Sequence, residues 1–123
     1  MATKSVAQKL LIKPDTAVWS SDSSYLELIQ PLPENVHQAD GLDQAATALI
    51  FARNADSLRD ILSAQEGRLG RPNALWVAYP KANKADINRE SLATIMVEHG
   101  MRPIGQVSVD DTWSAMRFRP ADQ

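Results

Sequence analysis

The chain has 123 residues, 44% hydrophobic and 23% charged, a balance that fits one globular domain (residues 1–123) and excludes a disordered or membrane-embedded chain. It contains no cysteine, which rules out a disulfide framework, a thiolate nucleophile and Cys-based zinc or iron–sulfur sites, and agrees with a reducing, cytoplasmic location. A formal net charge of −2, with acids and bases interspersed along most of the sequence, argues against nucleic acid as a partner.

At the start, Lys4, Lys9 and Lys13 flank an apolar run of only Leu10, Leu11 and Ile12, too short for a signal-peptide core. No stretch is long enough to span a membrane, and no membrane partner is expected. Val6, Ala7, Leu10 and Leu11 are spaced to share one face of a short helix that Pro14-Asp15 ends in a turn. Thr16 to Ser20 follows as a strand, and Ser20-Ser21-Asp22-Ser23-Ser24 as the polar loop leaving it. Tyr25 to Ile29 reads as a helical turn or a second strand, stopped by Pro31 and Pro33. Val36 to Ala39, short and half polar before Asp40-Gly41, reads as an edge strand.

Ala46 to Ala52 is apolar without alternation, as a strand covered on both faces should be. Asn54 is placed to cap a helix from Ala55 to about Glu66, with Leu58, Ile61, Leu62 and Leu69 near one stripe. Ala74 to Tyr79 is a second unbroken apolar strand, closed by Pro80. The next helix is the best marked: Asn88 caps it, Glu90 sits at its positive end, and Leu92, Ile95, Met96 and His99 form its stripe before Gly100. Ile104 to Val109 and Thr112 to Arg119 then form an antiparallel hairpin around Asp110-Asp111. Strands alternating with helices imply right-handed crossovers, hence a three-layer α/β fold: a mostly parallel sheet flanked by helices, with a C-terminal antiparallel hairpin.

Two segments carry a resemblance. Lys9-Leu10-Leu11-Ile12-Lys13-Pro14-Asp15-Thr16-Ala17-Val18-Trp19 resembles the approach to the first strand of class I methyltransferases, where a Lys-Pro-Gly turn leads to a β-branched strand and a glycine-rich loop. Here Asp15 stands in place of the turn glycine, and no glycine occurs from Trp19 to Ile29 to let a cofactor approach the backbone. Leu75-Trp76-Val77-Ala78-Tyr79-Pro80-Lys81, the helix after it, and Gly100-Met101-Arg102-Pro103 through Asp111-Thr112-Trp113-Ser114-Ala115-Met116-Arg117-Phe118 resemble a family of small bacterial proteins of unknown function. The resemblance implies a degenerate methyltransferase-like, Rossmann-like fold without its catalytic sequence, and no cofactor.

In such a sheet, ligands bind beyond the carboxyl ends of the strands. That rule selects Ser20, Ser21, Asp22 and Ser24, Asn54, and Tyr79, Lys81 and Lys84: hydroxyls, helix-start amides and ammonium groups suited to a small anionic ligand. The same residues also serve ordinary turns and caps. No catalytic triad or metal site is assigned: His37 lies on an edge, His99 ends a helix, and Asp110-Asp111 suits a hairpin turn. The favoured function is a non-catalytic binding or regulatory module holding a small anionic ligand. The alternative is a protein-interaction or homodimerising module using the hairpin around Trp113 and Phe118, and a methyltransferase-like enzyme ranks third.

Overall fold

A computed structural model describes residues 6–22, 26–27, 29–30, 32–81 and 87–121. Among them the elements run α1 (Val6–Lys9), β1 (Ala17–Ser20), β2 (His37–Gln38), β3 (Thr47–Phe51), α2 (Ala55–Ala64), β4 (Ala74–Pro80), α3 (Arg89–Glu98), β5 (Met101–Ser108) and β6 (Trp113–Pro120). The described strands form one sheet in the order β2-β1-β3-β4-β6-β5. The first four are mutually parallel, with Val18 beside Thr47 and Thr47 beside Ala74, while β6 is antiparallel to both β4 and β5. This is the expected mostly parallel α/β architecture. Within the hairpin, β6 lies beside β4 and β5 forms the sheet edge.

Alternation along the central strands divides the core into two layers, as successive side chains point to opposite faces. Ala48, Ile50, Leu75, Val77, Tyr79, Met116 and Phe118 face α2 and α3, where they meet Leu58, Leu62, Leu92, Ile95 and Met96. Leu49, Phe51, Ala74, Trp76, Ala78, Trp113 and Ala115 face the other way, against Ala7, Leu10, Ile12 and Ile29. Both faces are covered, so β3 and β4 needed an unbroken apolar run. Two reciprocal caps start the long helices. Asn54 accepts from the Ser57 amide at 2.8 Å, and Asn88 from the Ser91 amide at 3.0 Å, each serine hydroxyl accepting in return from the cap amide.

The N-terminal turn departs from expectation at Leu11. It has φ 65° and is 45% exposed, so only Ala7 and Leu10 of that helix face are buried. Asp15, standing where the resembling family has glycine, keeps the left-handed backbone at φ 62°. Aspartate tolerates that region better than most residues. Here its amide donates to Glu34 O at 3.0 Å and its carboxylate accepts from Asn35 Nδ2 at 2.9 Å.

Candidate functional site

Because β1, β3 and β4 are parallel, the segments after them emerge on one edge of the sheet, as the sequence predicted. The chain leaves β1 toward β2 on one side and leaves β3 toward β4 on the other, so the topological switch point lies between β1 and β3. At such a point the departing loops leave a crevice that a ligand can enter.

Here Ser21 occupies it. Its amide donates to Leu49 O at 2.9 Å and its hydroxyl accepts from the Phe51 amide, also at 2.9 Å, which carries the β1–β3 pairing one residue past the strand. Ser20 is buried, and its hydroxyl bonds both Asp22 O at 2.8 Å and the Asp22 amide at 3.3 Å. The side-chain oxygen of Asn54 is committed to its helix cap. Lys81 donates through its amide to Thr112 O at 2.8 Å and through Nζ to Ser108 Oγ at 2.6 Å, tying β4 to the hairpin. The structure thus brings Ser20, Ser21, Asp22, Asn54, Tyr79 and Lys81 to one edge, where most of their polar groups hold the protein together. Ser24 and Lys84 lie outside the described residues.

Asp40, missed by the sequence reading, stands at this edge just after β2, where Ala39 donates to Val18 O at 2.7 Å. Its signal was positional: an acid at the end of the second strand is the usual partner of a ribose hydroxyl in dinucleotide-binding sheets. Asp110 takes the turn role: its carboxylate accepts from the Thr112 amide at 2.8 Å and the Trp113 amide at 2.7 Å. Among the described residues no group of three or more His, Cys, Asp or Glu is placed to hold a metal ion.

Tyr79 is buried in the α2/α3 layer, and its hydroxyl accepts from Gln106 Nε2 at 2.8 Å. Burial pushes its phenol above the ordinary value of 10.0, opposed in part by the Arg89 charge and a hydrogen bond with Ser114. Between the unfolded and folded values the folded chain holds the extra proton, so stability is complete below about pH 10 and falls as the pH rises through the folded value. Urea midpoints measured from pH 9 to 11 should decline more steeply for the parent chain than for Tyr79→Phe.

The interaction surface expected at Trp113 and Phe118 is not present. These side chains are 8% and 2% exposed, packed in opposite core layers because they lie an odd number of residues apart on β6.

Neither a family model nor a curated protein matches the chain. Solved structures do. The Bacillus subtilis m1A22 tRNA methyltransferase TrmK superposes with a TM-score of 0.53 at 11% identity, covering 98% of this chain and 67% of its own. A candidate tRNA (m1A22) methyltransferase of Streptococcus pneumoniae, in complex with S-adenosyl-L-methionine, gives 0.55 at 16% identity, covering 94% and 70%. The DhpI–SAH complex gives 0.58 at 10% identity, covering 96% and 84%. At these identities the likeness establishes a methyltransferase-like, Rossmann-like fold. It also corrects the expected partners. Two of these three neighbours carry names that make tRNA their substrate, so net charge gave no ground for excluding nucleic acid, and the picture of only a small anion or a second copy at the hairpin is withdrawn. No described helix is long and apolar enough to cross a membrane.

Proposed function

We propose that the chain is a single-domain binding module built on a methyltransferase fold, with RNA as its partner class, and that it does not use adenosylmethionine at the switch point. The observation that carries the cofactor half of this reading is Ser21, whose amide and hydroxyl take up β3 groups at the mouth of the crevice. A cofactor that approaches the backbone closely needs glycine and free amides after the first strand. The residues here do not fit that need: no glycine precedes Gly41 anywhere in the sequence, and Ser20 and Asp22 bond one another. RNA is taken forward as partner because tRNA is the substrate named for proteins that share this fold.

One observation favours a second reading, an adenosylmethionine-dependent enzyme. Exposed Asp40 stands where a ribose-binding carboxylate belongs. Calorimetric titration with adenosylmethionine and adenosylhomocysteine separates the two. The binding-module reading expects no saturable heat. A Kd tighter than about 100 μM, with amide shifts localised at residues 20–22 and 40, would overturn it in favour of the enzyme.

A further inference from the structure

The chain's −2 net charge conceals a segregation that only the fold produces. Asp22, Asp40, Asp110 and Asp111 gather at the carboxyl edge of the parallel strands, where the described cations are Arg53, Lys81 and Arg89. At the opposite edge lie two adjoining hollows of about 210 and 260 Å³. The first is lined by Lys13 and Arg117, the second by Arg71, Arg117 and Arg119, and the two share Asn73 and Arg117. Neither is lined by a carboxylate. Among the described residues, Glu66 and Glu98 line a third hollow beyond Gly70, and Asp15, held by Asn35, lies with Glu34 on the β2 side.

The sheet itself concentrates charge here. Arg119 on β6 is directly opposite Arg102 on β5, a like-charge cross-strand pair that works against stability. Arg117 lies two residues before Arg119, on the same face of β6. Its Nη2 donates to Asn73 O at 3.3 Å, while its Nε is buried and has no acceptor. A buried guanidinium donor without an acceptor is costly, and a phosphate oxygen would satisfy it.

We infer that this edge, the track Lys13–Arg117–Arg71–Arg119, binds the phosphodiester backbone of single-stranded RNA. The inference rests on the proposal that RNA is the partner and names the face that meets it. A lone anion would fill one hollow. The two joined hollows instead run along the starts of β1, β3 and β4 to β6, which at ~4.8 Å per strand is about 14 Å, room for consecutive phosphates. Three of the four cations are arginines, whose planar fork matches phosphate oxygens two at a time. Among the described residues the one aromatic lining the track, Phe118, is buried, so they offer no platform for base stacking and binding is independent of sequence.

The test is fluorescence anisotropy of labelled oligouridine against the full chain over a salt series. With four cations engaged, the log–log dependence of affinity on salt should have a slope near about −3. The double variant Arg71→Gln/Arg119→Gln changes two exposed side chains and should halve that slope and weaken binding about tenfold at low salt. Arg59→Gln, on the exposed face of α2, should change neither, and circular dichroism should show all three variant positions compatible with the parent fold. Tight binding that the double variant leaves unchanged overturns this face while leaving RNA as the partner. If the parent chain shows no salt-dependent binding, RNA itself falls as the partner, and this face with it.

Discussion

Trp76→Ala should destabilise the protein by about 3–5 kcal/mol, the range for truncating a large aromatic in a packed core. Trp76 lies in the middle of β4, flanked by β3 and β6, and is 3% exposed. It packs in the layer formed by Ala7, Leu10, Ile12, Val18 and Ile29, so its loss opens a cavity between the sheet and the N-terminal segment. Its Nε1 also donates to Leu10 O at 2.9 Å, a buried bond between residues 66 positions apart. Alanine therefore removes both the packing and the donor that fixes where α1 meets the sheet. Against the 5–15 kcal/mol typical of whole domains, the loss is a large fraction of total stability. Trp76→Phe separates the two contributions. It keeps most of the apolar volume but strands the Leu10 carbonyl, and should cost about 1–3 kcal/mol. Urea denaturation of both variants measures this, and a loss below about 1 kcal/mol for the alanine variant would sink the placement of α1 over β4.

What the sequence revealed follows from how local each cause is. The uninterrupted apolar runs of β3 and β4 are explained by burial on both faces, and Asn54 and Asn88 by caps that need only the next three residues. Even there the partner of Asn88 is Ser91, while Glu90 contributes only charge at the helix start. The sequence pattern starts β5 at Ile104, three residues after its true start at Met101. Its stretch from Arg102 to Gln106 is exposed throughout because it forms the sheet edge, so no alternation marked it. The position of β6 between β4 and β5 depends on the α3 crossover passing over one strand width, which no short pattern encodes. The same holds for the site. A serine in a loop looks like a free hydroxyl until Phe51, 30 residues away, is seen to donate to it. The basic track joins Lys13, Arg71, Arg117 and Arg119 from three distant parts of the sequence, so interspersed charge along the chain concealed a polarised surface.

Trp113→Ala should also cost about 3–5 kcal/mol, with no change in the oligomeric state read by sedimentation. A tryptophan serving an exposed interface would behave in the opposite way, changing stability by no more than about 0.5 kcal/mol while shifting association. The core role follows from its contacts. Its ring meets Phe51 edge-on, with centroids 5.4 Å apart and an interplanar angle of 81°. Such pairs add about 0.5–1.5 kcal/mol to the area they bury. Its amide is held by Asp110, and its carbonyl accepts from the Val109 amide at 3.0 Å and the Asp110 amide at 3.2 Å, so its backbone is tied to the hairpin turn while its ring packs on the end of β3. Phe51 is also the residue whose amide Ser21 clamps at the switch point. Trp113 and Ser21 thus act on the end of β3 from its side chain and its backbone, and their effects should not add. A double-mutant cycle of Trp113→Ala and Ser21→Ala should give a coupling of about 0.5 kcal/mol or more. Simple additivity would mean that the closed crevice and the hairpin are held independently, and that the mouth of β3 is not the shared structure the geometry describes.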